Sequence, residues 1–463
     1  MAHPLVLELN TRCWLRELSE FASAPVTLGT VPESQFAGWK RAGLTHLWLM
    51  GVWKTGAKAA ALARAQPAFR ALCDEAFGPV KDEQISGSPY AVADYVVARR
   101  FGGNKGLAHF RRKLRQYGMG LILDFVPNHL GLDHPWLAAR PGLFVRAPVA
   151  RPETFRAGKN WIAHGKDPNF PAWTDTAQLD YRVPATHAAM RGILHRVARQ
   201  CDGVRCDMAM LLLEDVFAAT WAEFPPATAA APGEFWKEAV ASVKEKQGDF
   251  LFVAEAYWHR EGRLQELGFD YAYDKGFYDC LVRRDSRALW NHLRHVAHHF
   301  SPVRFLENHD EPRIASLLSP AEQKAAAVLL LSQPGMRLLH DGQMTGRKHR
   351  VPVQWTRYWP ECPNPESKCF YDALLACVSK TAIAGSDVEF VATNAPDCFL
   401  MKWKSDARGT LVAVNLGPRS SRLTFGAASA HAVFADAESK WKQSGLHLHI
   451  DLAPHGFLLL NCG

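Results

Sequence analysis

No apolar run in this sequence reaches membrane-spanning length. The stretch Met1-Ala2-His3-Pro4-Leu5 to Asn10 lacks the basic region, long apolar core and small-residue cleavage site of a secretory leader. The 10 cysteines are scattered. The close pairs, Cys201/Cys206 and Cys362/Cys369, are not CxxC, and no Cys/His group has zinc-site spacing. Cys280 and Cys377 sit in apolar runs and read as small buried hydrophobes. The formal net charge is +8 but the basic residues are not clustered. Arg111-Arg112-Lys113 and Arg347-Lys348-His349-Arg350 are the densest groups, and runs this short read as a solvated face rather than a nucleic-acid surface. Low-complexity tracts are missing. These absences point to a cytoplasmic globular protein with reduced thiols and neither a nucleic-acid nor a membrane partner.

What remains is ordinary in bulk and regular in order. The 463 residues, 48% hydrophobic and 22% charged, suffice for one large domain and a smaller one. Strand candidates fall at 5–9, 45–50, 121–125, 203–207, 250–255, 269–273, 303–307 and 336–339. Helical patterns lie between them, at 31–41, 106–117, 187–200, 233–246, 286–299 and 320–332. Eight strands alternating with helices predict an α/β fold, a (β/α)8 TIM barrel over residues 1–380. Two stretches break the rhythm: 54–90, Ala-rich and helical to about Phe77, and 130–185, rich in Pro, Trp, Gly and His. A loop as long as the second is usually functional. After a helix at about 366–380, short strands at 388–391, 399–403, 410–415, 422–425, 431–434 and 457–460 predict a small all-β domain, about 385–463.

Polar groups end four of the barrel strands. Asp124 follows Leu121-Ile122-Leu123, with Asn128 and His129 just beyond. Arg205 and Asp207 close Gly203-Val204-Arg205-Cys206-Asp207. Glu255 ends Phe250 to Ala254, and Glu307-Asn308-His309-Asp310 follows Val303 to Leu306. On a strand, Arg205 points the same way as Asp207 and is placed to hold it ionised. Such barrels carry catalysis at the C-terminal ends of their strands, so the four ends imply one composite site.

Asp124-Phe125-Val126-Pro127-Asn128-His129, Gly203 to Asp207, Val253-Ala254-Glu255 and Leu306-Glu307-Asn308-His309-Asp310 resemble, in order, the four signatures of the α-amylase family, glycoside hydrolase family 13. Gln178-Leu179-Asp180-Tyr181 lies where the family's fifth signature falls, and residues 130–185 lie where it inserts its B domain. The terminal β domain fits the family's C-terminal β-sandwich. The resemblance implies Asp207 as nucleophile of a covalent glycosyl-enzyme, Glu255 as acid/base and Asp310 as transition-state stabiliser. Retaining chemistry needs such a carboxyl pair, one ionised and one protonated; Arg205 is expected to lower the first and desolvation to raise Glu255. Tyr90, in Gly87-Ser88-Pro89-Tyr90, resembles the family aromatic that stacks on the sugar. Asp124, His129, Arg205, Asn308 and His309 are the expected sugar-binding groups, with Asp124 orienting Arg205 or a hydroxyl. Trp53, Trp161, Trp173 and Trp355 lie in predicted loops, as sugar platforms or as ordinary packing.

The chain also departs from that pattern. Met210 and Leu211 stand where amylases carry a Lys-His pair that contacts sugar on the leaving-group side. Asn128 matches one family calcium ligand, but Gln178 stands nearest the place of an acidic one, so calcium is expected to be dispensable and no cofactor is required. His292, His295, His298 and His299 crowd one helix without an accompanying carboxylate, which favours a surface helix over a metal site. Cys206 reads as an inward-packed small residue. The expected reaction is hydrolysis of α-1,4-linked glucans or malto-oligosaccharides. Transglycosylation (glucanotransferase or trehalose-forming) and a non-catalytic carbohydrate- or protein-binding barrel are the alternatives.

Overall fold

The computed structural model describes residues 3–225, 233–296, 300–381, 383, 387–404, 409–427 and 429–462. Eight parallel strands close a barrel: β1 (Leu5–Asn10), β2 (His46–Met50), β3 (Gly120–Phe125), β4 (Gly203–Cys206), β5 (Leu251–Ala254), β6 (Tyr271–Tyr273), β7 (Pro302–Phe305) and β8 (Met336–His340). Neighbours in space are neighbours in sequence, and β1 closes on β8.

Alternation sorts the side chains. Leu5, Leu7 and Leu9 of β1 pack outward with the helices, whereas Val6 joins Trp48, Ile122, Val253, Tyr273, Val303, Phe305, Met336 and Leu338 inside the barrel. The inward positions turn polar towards the strand ends: Glu8, Asp124, Arg205 and His340. Register keeps them level. Glu8 sits between Trp48 and His340, and Arg205 between Asp124 and Val253.

Helices follow the strands, several of them set by their first residues. Asn10 caps Thr11–Ala22 by accepting from the Cys13 N–H, and a Ser319/Glu322 capping box opens Pro320–Leu331. Thr11–Ala22 and Lys275–Val282 are helices that the sequence pattern did not suggest. The 54–90 excursion carries helices Ala57–Arg64 and Pro67–Phe77.

The 130–185 stretch is less irregular than its composition predicts. His129–Gly131 pairs with Thr176–Gln178, and Arg146–Ala147, Asn160–Ala163 and Thr154–Ala157 form a three-stranded sheet. Backbone pairing within the insertion satisfies its amide groups where hydrophobic periodicity is too weak to announce strands.

Beyond helix Pro365–Val378 a five-stranded antiparallel sheet runs in the order Asp387–Val391, Cys398–Lys404, Gly409–Asn415, Phe457–Cys462 and Ala430–Ala435. A three-stranded sheet, Ser421–Gly426, His447–Leu452 and Lys440–Ser444, covers one face. Cys398, Leu400, Leu411, Leu448, Ile450 and Leu458 fill the space between the sheets. The other face, with Phe399, Met401, Trp403, Val412 and Leu459, belongs to the barrel's own core. Among the described residues no helix is long and apolar enough to cross a membrane.

Candidate active site

At the C-terminal mouth of the barrel one guanidinium organises the carboxylates. Arg205 is 1% exposed and puts Nη1 2.6 Å from Asp207 Oδ1 and Nη2 2.7 Å from Glu255 Oε2. Its flat faces lie against Trp48, Tyr90 and Tyr273, with ring centroids 5.3, 5.4 and 5.8 Å away. Burial works against its charge, but Glu255 and its other neighbours hold it firmly protonated.

The sequence paired Arg205 with Asp207 alone. The structure shows it shared, and the direction for Asp207 is the reverse of the expected one. Burial pushes the Asp207 carboxyl above its ordinary value, and neither Arg205 nor the Arg205 hydrogen bond fully offsets that. Glu255 follows expectation: burial raises it to about 7, against the pull of Arg205. Glu255 Oε2 also accepts the Met208 N–H at 2.6 Å, and Oε1 accepts the Tyr257 hydroxyl at 2.9 Å. Met208 adopts a left-handed backbone, φ 44°, at this turn.

Asp310 is the open member, its side chain 45% exposed. Its crowded setting disfavours charge, but His309, 3.0 Å from Oδ2, draws the carboxyl below the ordinary range. Asn308 is not turned to the cleft. It is 1% exposed, and its Oδ1 accepts the N–H groups of Asp310 and Glu311, both at 2.9 Å. It shapes the turn that presents Asp310.

His309 differs from a free sugar donor. Nδ1 meets Glu8 Oε1 at 2.5 Å, and Nε2 meets the Tyr90 hydroxyl at 2.6 Å as well as Asp310. Tyr90 stacks on the imidazole at 5.4 Å, and Trp48 meets it edge-on at 5.6 Å. Asp124 orients neither Arg205 nor an open hydroxyl site. It is 1% exposed and accepts from Trp48 Nε1 at 3.0 Å and the Gly51 N–H at 2.7 Å. Burial raises it to about 6. Gly51 holds φ 75°, and a Cβ there would lie 2.6 Å from Pro89, beside Tyr90. His129 is 3% exposed, packs against Trp173 and reaches Asn128 Nδ2 with Nδ1 at 3.2 Å; burial lowers it to about 4, so it is neutral.

The tryptophans divide. Trp53 and Trp355 are core residues, 1% and 0% exposed, and Trp161 lies in a strand of the insertion. Trp173 lines a cleft of about 1030 Å³ together with Phe170, Met208, Glu255, Tyr257, Trp258 and Asp310. The sequence reading did not single out Phe170, Tyr257 or Trp258. Their signal was aromatic side chains within three residues of Glu255 or in the long insertion. Met210 and Leu211 are buried, so the Lys-His position is filled by core. Cys206 is buried as expected, and burial pushes its thiol well up.

The histidine helix needs correction. His292 and His295 line the same cleft, and His292 Nε2 meets Asp274 Oδ1 at 2.5 Å, so a carboxylate does accompany it. Arg304 takes the other Asp274 oxygen at 2.9 Å. His298 and His299 fall outside the described residues. Among the described residues no three His, Cys, Asp or Glu side chains are grouped to hold a metal ion.

Calcium needs several oxygen ligands bearing charge. At the joint between barrel and insertion, Gln178 Nε2 donates to Asn128 Oδ1 at 3.0 Å, to Asn128 O at 2.9 Å and to Leu179 O at 3.0 Å. Asn128 Nδ2 returns a bond to Gln178 Oε1 at 3.2 Å, and Asp180 is engaged by Arg182 at 2.8 Å. These groups satisfy one another and do not fit a calcium ion.

Comparison with known proteins agrees with this architecture. Over nearly its whole length the chain superposes on a noncanonic maltogenic alpha-amylase from Thermotoga neapolitana, with TM-score 0.72, 19% identity and coverage of 99% and 98% of the two chains. An alpha-amylase from Geobacillus thermoleovorans, complexed with acarbose, gives TM-score 0.71 at 16% identity, covering 100% and 98%. By sequence the chain is 24% identical to alpha-amylase MalA of Haloarcula japonica over 59% of this chain, but only 38% of that protein. Alpha-amylase 3 of Dictyoglomus thermophilum is 20% identical over 59% of this chain and 56% of its own length. The chain thus spans roughly half or less of those curated relatives. The model of the alpha amylase catalytic domain matches residues 76–368, which hold Asp207, Glu255 and Asp310, and the chain therefore belongs to the alpha-amylase family.

Proposed function

We propose that this chain is a retaining glycosidase acting on α-1,4-linked glucans or malto-oligosaccharides. The observation that carries the reading is the shared guanidinium: Arg205 holds Asp207 and Glu255 together, one through each terminal nitrogen. Retaining enzymes keep their two carboxyl groups about 5–5.5 Å apart, whereas inverting ones leave about 6.5–9.5 Å for a water molecule. Carboxylates bridged by one guanidinium suit the closer arrangement.

In the first step an Asp207 oxygen bonds to the anomeric carbon as the bond to the leaving oxygen breaks, and Glu255 gives that oxygen its proton. In the second, Glu255 takes a proton from water, the water oxygen bonds to the anomeric carbon, and Asp207 leaves. Glu255 at about 7 is placed to exchange a proton in both directions near neutrality. Asp310, held ionised by His309, takes the sugar hydroxyls and the developing positive charge. Tyr90, backed by the stacked His309 ring, is the proposed floor of the subsite.

One observation favours a second reading. The acid/base sits on the leaving-group side, where the cleft wall carries Met208, Tyr257, Trp258, Phe170 and Trp173. An apolar, aromatic wall suits a sugar in the position of the attacking water, which is transglycosylation.

The test is to incubate wild type and Asp207→Ala with α-linked glucose oligomers and sucrose, and separate the products by chromatography. Shorter products from wild type, and turnover in Asp207→Ala reduced by about a thousandfold or more, are the expected result. Products longer than the substrate establish the transferase. Binding without turnover by wild type overturns the catalytic reading in favour of a carbohydrate-binding barrel.

A further inference from the structure

Glu8 lies at the C-terminal end of β1, fully buried, between Trp48 of β2 and His340 of β8. A lone buried carboxylate is costly unless paired. Glu8 has two histidine partners: Oε1 meets His309 Nδ1 at 2.5 Å, and Oε2 faces His340 Nδ1 at 3.0 Å. Glu8 Oε2 and His340 Nδ1 face each other as an ion pair, and neither has a hydrogen-bond partner among the described residues. The far side of the His309 ring ends on Tyr90 and Asp310. A continuous line therefore runs from β8 through Glu8 and His309 to the carboxylate that opens into the cleft.

We infer that Glu8 is a positioning residue: it holds the His309 ring as an imidazolium, and that cation in turn keeps Asp310 ionised and aimed into the cleft. This rests on the proposed function only in taking Asp310 to face the substrate.

A neutral imidazole carries one N–H, yet three oxygens crowd the two ring nitrogens. Glu8 and Asp310 are acceptors at opposite ends, so both are served only when both nitrogens carry protons. The hydroxyl of Tyr90 adjusts, since it donates or accepts. Other charges facing the site act on the same balance. Asp124 and Asp207 favour the cation, Arg205 opposes it, and His340 competes for Glu8. Burial alone would strip His309 of its proton, but Asp310 and Glu8 hold it protonated well above the ordinary histidine range. The two histidines in turn hold Glu8 ionised despite its burial.

The sign is definite. With Glu8 replaced by a neutral isostere, His309 loses one of its two anions and releases its proton at lower pH. Asp310 then loses its cation as pH rises.

The experiment is a pH titration of the histidine ring nitrogens by NMR, on wild type, Glu8→Gln, Glu8→Asp and His340→Asn, with His309→Gln assigning the resonances. Wild-type His309 is expected to keep both protons across pH 6–9. In Glu8→Gln its titration should fall by about one pH unit or more, with Glu8→Asp between the two. His340→Asn leaves the carboxylate in place and should keep His309 protonated. In activity assays a second alkaline loss of kcat/KM, above the limb set by Glu255, should come down in Glu8→Gln together with the His309 titration. A uniform drop at every pH, an unchanged His309 titration in Glu8→Gln, or an equal downward shift in His340→Asn overturns the inference. Should Glu8→Gln not fold, Glu8→Asp and His340→Asn still give opposite expectations. The NMR readout needs no turnover, so a protein inactive on α-glucans that shows the shift keeps the network and loses only the proposed function.

Discussion

Asp207 and Glu255 share Arg205 and lie within one buried patch, yet the reaction asks them to differ in charge. The proposed retaining reaction needs Asp207 ionised and Glu255 protonated. Because burial lifts Glu255 from 4.5 to about 7, the alkaline limb of kcat/KM should lie near pH 7 rather than in the ordinary carboxylate range. Glu255→Gln should abolish that limb and lower the rate on oligosaccharides by about 10²–10⁴-fold. A glycosyl fluoride, whose leaving group needs no proton, should restore the first step. A limb that persists in Glu255→Gln would assign it to another group. Stability carries the same sign. A carboxyl raised in the folded state binds its proton more tightly there, so its contribution falls as pH rises from about 4.5 towards 7. Thermal melts should show Glu255→Gln losing less stability than wild type across that window. The three carboxylates were legible in the sequence because each ends a strand of recognisable pattern. Glu8 was not, although it too is an acid inside an apolar strand, Leu5 to Asn10. Its partner His309 is 301 residues away, and local pattern carries no trace of such a contact. The same blindness hid the second partner of Arg205 and the donors, Trp48 and Gly51, that hold Asp124.

At the scale of elements, the insertion is joined to the barrel by the reciprocal amide bonds of Asn128 and Gln178. Neutral amides that satisfy each other leave no charged oxygen for a cation. Chelation with EDTA should therefore leave the melting temperature unchanged, whereas Gln178→Ala should destabilise by about 1–3 kcal/mol by stranding the buried Asn128 side chain. A melting temperature that drops on chelation would reverse this assignment. The strands of the barrel were readable because each is a short apolar run bounded by turns and followed by a helical period. The helix Thr11–Ala22 was missed because it follows β1 without a turn, its start marked only by Asn10. The hairpin Lys440–Ser444 and His447–Leu452 was missed although it alternates, since its outward residues are polar and its inward ones few. The insertion's two-stranded sheet depends on distant pairing, as Gln178 with His129, and its three-stranded sheet is built from strands of only 2 to 4 residues, too short for a period to reveal.

At the scale of the whole molecule, the five-stranded sheet is not an appendage. Its inner face, Phe399, Met401 and Trp403, is continuous with the barrel core. Trp403 is 0% exposed, donates from Nε1 to Ser332 O at 3.1 Å and meets the His3 ring at 6.0 Å. Ser332 precedes β8 and His3 precedes β1, so this seam grips the N-terminal end of the barrel. Asp207, Glu255 and Asp310, the carboxylates of the proposed reaction, lie at the C-terminal end, where such barrels separate chemistry from stability. Two consequences follow from that separation. Calorimetry should give one cooperative transition, because neither part can keep the shared apolar face covered alone. Trp403→Ala should destabilise the chain by about 3–5 kcal/mol while leaving kcat and KM close to wild type well below its melting temperature. Two resolved transitions, with the barrel melting unchanged, would show that the sheet folds independently. A loss of kcat at temperatures where the variant remains folded would show instead that the seam reaches the strand ends, through the same β1 and β8 that carry Glu8 and His340.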